Sequence, residues 1–191
     1  MTLCARLSLP LVTVDTASPN ARDILDSVRD EIGSIPNMYA AMANAPGLFD
    51  AYLYSYTQFR QECSLTPLEQ EVILLALSVA NGSSYSVAMH SGIAATVING
   101  SPEVVNAIRD GRSLLDARLR ALVGFTHAMF AHRGRPSAIE LKAFLDAGYS
   151  EKNVLDIILA IAITTLSNYT NHVFETEVDR CFRHFSWIPP C

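Results

Sequence analysis

Apolar residues recur at three- and four-residue spacing along most of the chain, and each such stretch is bounded by capping residues, glycine or proline. The first runs from Ser18-Pro19-Asn20 to Gly33, with Ala21, Ile24, Leu25, Val28 and Ile32 on one stripe. Pro36 opens a short helix, PNMYAAMANA, and Pro46 opens a longer one, PGLFDAYLYSYTQFRQEC. Thr66-Pro67-Leu68-Glu69 combines an N-cap, a proline at the first helical position and a glutamate three residues on. That is a capping box, and it predicts a helix through EQEVILLALSVAN that stops at Gly82. A further helix follows directly and ends near Asn99-Gly100. Ser101-Pro102-Glu103 starts another, closed by Gly111. The pattern then gives helices over Asp116 to about His132 and Ser137 to Asp146. A last long helix, capped by Ser150, should reach about Phe182. Period-two alternation is confined to the short LSLPLVTVD near the start, so the fold class is all-α.

A faint internal repeat adds to this picture. NGSPEVVNAI and AGYSEKNVLDI are alike, and each follows a long helical stretch. Two copies of a helical unit about a pseudo-twofold axis would produce that pattern. The whole chain, 1–191, reads as one domain, with 1–17 as an N-terminal extension.

Composition narrows the function classes. Half of the residues are hydrophobic, 17% are charged, and the mean hydropathy is +0.21. So much apolar surface calls for burial at a subunit interface. The net charge of −5 and the absence of a basic run argue against nucleic acid as a partner. The longest apolar run, VLDIILAIAITTL, contains Asp156 and is too short to cross a bilayer, so no membrane association is expected. No signal peptide is evident at the start. Cys4, Cys63, Cys181 and Cys191 match neither a disulfide framework nor a zinc site and read as free thiols of a reducing, cytoplasmic compartment. His127 and His132 are five apart with no paired carboxylate, so neither a metal nor another cofactor is called for.

The candidate chemistry lies in NGSSYSVAMHS. With Ser83 at the N-cap, Ser86 and His90 fall on the same helical face, at offsets of three and seven. The ordinary explanation is that both hydroxyls cap free backbone N–H groups and that the histidine is packed. A Ser–His hydrolase would need a strained nucleophile elbow, and no G-x-S-x-G is present. The partial positive charge of a helix N-terminus suits a thiolate better than a hydroxyl. Glu71, on the preceding helix, can approach the same face if the two helices pack.

The stretch LTPLEQEVILLALSVANGSSYSVAMHSGIA resembles the core motif of the AhpD-like alkylhydroperoxidase/carboxymuconolactone decarboxylase family, in its peroxidase-related branch. The pattern there is Glu, eleven residues, Cys-x-x-Cys, three residues, His. Its positions here are Glu71, Ser83, Ser86 and His90. Weaker similarity extends through GSIPNMYAAMANAPGLFDAY and TLSNYTNHVFETEVD. The resemblance implies an AhpD-like helical bundle, a trimer or hexamer, and thiol-dependent reduction of a small peroxide with electrons from an external thiol or protein reductant. It places Ser86 at the attacking position, Ser83 at the resolving one, and His90 and Glu71 in a proton relay.

Both thiols of the motif are hydroxyls here, so the chain is expected to be inactive as a peroxidase. Restoring the cysteines gives GCSYCVAMH, an ordinary active pattern. The two serines reflect either a deliberate exchange or natural divergence. The alternatives are a cysteine-independent, decarboxylase-like enzyme using His90 and Glu71, and a redox-dead oligomeric binding protein. His172 is a candidate to reach the pocket from the last helix. The cluster of Tyr52, Leu53, Tyr54, Tyr56 and Phe59 is expected to serve as core and subunit contact and to line the substrate mouth, and Cys63 reads as a small buried residue.

Overall fold

The computed structural model describes residues 5–98 and 100–189. Cys4, Cys191 and Asn99 lie outside the described residues. Among those described there are nine α-helices, one 3₁₀ helix and no strand. The helices are α1 (Pro19–Ile32), α2 (Asn37–Met42), α3 (Pro46–Glu62), α4 (Pro67–Ala80), α5 (Ser84–Thr96), α6 (Pro102–Arg109), α7 (Ala117–Ala131), α8 (Ala138–Asp146) and α9 (Glu151–Phe174), and the 3₁₀ helix spans Arg180–Phe185.

The capping residues start the helices as the sequence predicts. Thr66 and Glu69 form a reciprocal capping box on α4, and Ser137 with Glu140 does the same on α8. Ser18, Ser101, Asp116 and Ser150 accept from backbone amides two or three residues on.

α4 is the centre of the molecule, and Val72 through Ser78 are all buried. It packs against α5 on one side and α7 on the other, with α6 and α9 completing its surroundings. The two leading helices of the sequence repeat, α4 and α7, therefore sit side by side. Their junction is tied by Glu69, which accepts from Arg118 at 3.0 Å and from the Tyr149 hydroxyl at 2.9 Å. Arg118 also lies over the Tyr149 ring, which stacks on Phe144 and through it on Phe125.

Three boundaries differ from expectation. α5 ends at Thr96, before the Asn99-Gly100 stop. α2 is shorter than PNMYAAMANA and ends at Met42. α9 ends at Phe174, eight residues before Phe182. Its stop is a left-handed Glu175 (φ 49°, ψ 48°), with the Thr176 amide reaching back to Asn171. A non-glycine residue in that conformation leaves no signal in the sequence.

At 24 residues, α9 is also longer than its apolar run suggests, and its length and composition would suffice to cross a membrane. It nevertheless buries Asn153, Thr164, Ser167, Asn168, Thr170 and Asn171 and packs against α2, α3, α4 and α5, as a core helix does.

The chain beyond α9 turns back over α5. Phe182 and Phe185 press on Gly92, where a Cβ would meet the Phe182 ring at 2.5 Å. Arg109 donates to the carbonyls of Phe185 and Ser186, and the Trp187 indole donates to that of Arg109. Residues 5–13 are irregular, with the Leu7 and Val12 amides donating to the carbonyls of Val173 and Ala40, and a turn over 14–17 leads into α1.

Candidate active site

Gly82 makes the site possible. It takes a left-handed conformation (φ +68°) that turns the chain directly from α4 into α5. The two helices then pack together, which brings Glu71 of α4 to His90 of α5. Glu71 Oε2 and His90 Nδ1 are 2.9 Å apart, and both side chains are buried. The structure forms two pairs among the four motif residues: Glu71 with His90, and Ser83 with Ser86, whose positions on α5 precede His90 by seven and four residues.

The serines do not cap. Ser83 holds the N-cap position but makes no side-chain cap bond. Its hydroxyl donates to Ser86 Oγ at 3.2 Å, and both hydroxyls are fully buried. The expectation that these serines satisfy the helix start is therefore corrected. A short polar pair sits at a helix N-terminus whose first amides are left free of side-chain caps.

Two residues that sequence reasoning missed complete the site. Arg60 of α3 donates to Glu71 Oε1, so one carboxylate is shared between guanidinium and imidazole. Arg60 is itself positioned by Gln70 and by the Tyr56 hydroxyl, and it lies over the Tyr56 ring. Burial pushes the Glu71 carboxyl up, but His90 and Arg60 together outweigh it and hold the group below the usual carboxylate range. The second is Asn171 of α9, whose Nδ2 donates to Ser86 Oγ at 3.2 Å. His172, the residue singled out on that helix, also lines the cleft, from its exposed rim. Neither partner was legible: Arg60 reads as a surface charge on α3, and Asn171 as one of several polar residues on a long helix.

A cleft of about 610 Å³ opens above the serines, lined by Asn81, Ser83, Tyr85, Asn171, His172 and Thr176 among others. Tyr85 is anchored through its hydroxyl. Its hydroxyl donates to Asp179 at 2.5 Å, and Asp179 also accepts from the Asn37 amide. Burial and the Asp179 carboxylate both raise the Tyr85 phenol, which therefore stays protonated. The tyrosine cluster of α3 falls elsewhere. Tyr52 and Phe59 are core, Tyr56 supports Arg60, and Tyr54 is exposed. Cys63 is half-buried and accepts from the Gln70 amide.

No family model and no curated protein matches this sequence. Solved structures do match. One is an AhpD-core, peroxidase-related protein of Ralstonia eutropha, 22% identical, with a TM-score of 0.82 over 95% of this chain and 97% of that one. A peroxidase-related protein of a Silicibacter species is 19% identical, with a TM-score of 0.78 over 93% of each chain. A cysteine-to-alanine variant of the debrominase Bmp8, in complex with 2,3,4-tribromopyrrole, is 20% identical, with a TM-score of 0.75 over 94% of this chain and 95% of that one. At such identities the likeness speaks to architecture, and over nearly its whole length the chain has the all-helical fold of the AhpD-like, peroxidase-related proteins.

Proposed function

We propose that this chain carries the framework of an AhpD-type hydroperoxide reductase in which hydroxyls stand at both thiol positions, so that it does not reduce peroxides as it is. The observation that carries this reading is the buried Glu71–His90 pair on the helix whose start holds the bonded pair Ser83 and Ser86, the latter one turn before His90. With cysteine at both serine positions, the residue at 86 would attack the peroxide as a thiolate. The O–O bond breaks, the alcohol leaves with a proton from the relay, and the sulfur becomes a sulfenic acid. The thiol at 83 then displaces water to close a disulfide, and an external thiol supplies the two electrons that reopen it. Serine does neither, because its hydroxyl stays protonated near neutral pH and cannot form the disulfide.

The depressed Glu71 weighs against the cysteine-free acid/base alternative. A carboxylate stabilised by Arg60 is a weak base, and general-base efficiency falls as the pKa drops below working pH. A reducing, cytoplasmic setting suits the thiol cycle this framework would support.

The test is the double variant Ser83→Cys plus Ser86→Cys with organic hydroperoxide and a dithiol reductant. Peroxide consumption should appear in the double variant and be absent from the parent and from Ser83→Cys alone. A double variant that folds and forms the disulfide but leaves peroxide untouched would refute the assignment.

A further inference from the structure

Ser83 and Ser86 are fully buried, so nothing in solution reaches either side chain until an element beside them moves. The cleft at Ser83 is walled by the turn from α4 into α5, by the end of α9, and by Pro189 of the C-terminal segment. The helices are rooted in the core through residues such as Leu74, Val87 and Ile163. The C-terminal segment is not: residues 180–189 are all exposed or half-buried. Elements with little buried surface are the first to open.

The attachments of this segment are few and can be named. In a 3₁₀ helix residues i and i+3 share a row. Phe182 and Phe185 form the row that lies on Gly92, while the rows of Arg180 with Arg183 and of Cys181 with His184 are exposed. Beyond the helix, Arg109 of α6 donates to the carbonyls of Phe185 and Ser186, both at 2.9 Å, and accepts from the Trp187 indole on its own carbonyl at 3.2 Å. Pro189 then closes on Gly82, where a Cβ would lie 3.8 Å from the proline ring. The upstream end is held separately, because Asp179 accepts from the Tyr85 hydroxyl and from the Asn37 amide. One end is thus fixed beside the motif turn, and the other rests on that turn through a single arginine latch. We infer that residues 180–189 are a lid, hinged at Asp179 and latched by Arg109, whose release admits small molecules to the Ser83–Ser86 site. The inference concerns access alone. It holds for hydroxyls or thiols at 83 and 86 and does not rest on the peroxidase reading.

The test uses Ser83→Cys in the full chain, alkylated with iodoacetamide and followed peptide by peptide by mass spectrometry, so that each native cysteine is read separately. With the lid latched, the introduced thiol at 83 should label more slowly than the exposed Cys181. Adding Arg109→Met keeps the aliphatic stem but removes both bonds to the lid. Labelling at 83 should then rise about tenfold, the combined weight of two hydrogen bonds. Half-buried Cys63 lies outside the lid and should label at an unchanged rate. If Arg109→Met does not fold, Trp187→Phe, which removes only the indole donor, should raise the rate about threefold. Labelling at 83 as fast as at Cys181 in the latched chain, no acceleration on release, or an equal rise at Cys63, which marks general loosening, would each overturn the lid.

Discussion

Glu71 is the residue on which the buried site turns. One oxygen faces Arg60 and the other faces His90, so the carboxylate is held charged in the interior. Because its folded pKa lies below the ordinary value, its contribution to stability is full above about pH 4.3 and is lost as the pH falls toward the folded value. Glu71→Gln should cost about 3 kcal/mol at neutral pH, by leaving the Arg60 guanidinium without its counter-charge. The gap between variant and parent should narrow below about pH 4. Thermal melts across pH 3–7 would read this out, and a constant gap would contradict the shared carboxylate. Arg60→Met acts on the same group from the other side. In the chain with both cysteines restored, it should move the acid limb of peroxide turnover upward, since Glu71 loses the cation that lowers it. The motif residues were readable because their types and spacing are fixed along one chain segment. Arg60 and Asn171 were not, because each is brought in by a different helix and nothing in its local sequence marks it.

Among the elements, α5 and the segment that covers it are the least forgiving pair. Gly92 lets Phe182 and Phe185 lie directly on the helix. In an exposed helix, Gly→Ala would be stabilising by helix propensity. Here the new methyl overlaps a rigid ring, and overpacking should win by about 1–3 kcal/mol. Gly92→Ala should therefore loosen residues 180–189, seen as increased protease cleavage there and a red-shifted emission from Trp187, the chain's one tryptophan. Unchanged emission with raised stability would mean that the ring simply moves aside. Helix propensity continues past Phe174 without glycine or proline, so local pattern alone carries α9 through this region. The actual stop depends on Glu175 adopting a left-handed turn and on Asp179 being captured by Tyr85 and the Asn37 amide. Those are tertiary contacts, invisible to local pattern.

At the scale of the whole molecule, the apolar composition finds only part of its outlet in the core. α9 leaves Leu155, Ile158, Tyr169 and Val173 between 40% and 64% exposed. With Ala162 these fall on one stripe of the helix. We propose that this stripe is the subunit contact of a trimer or hexamer. Leu155→Glu plus Ile158→Glu should lower the mass measured by sedimentation while leaving the helical circular dichroism intact. An assembly that survives both charges would place the contact elsewhere.

By itself, the sequence determined the all-α class, most helix starts and the four residues of the motif, because caps, apolar periodicity and motif spacing are local properties of the chain. Tertiary structure alone decided that Glu71 meets His90 and is shared with Arg60, that the serines bond to each other instead of capping α5, and that Asn171 turns toward Ser86. Each of those outcomes depends on which helix packs beside which, and packing is settled by the burial of the whole core at once.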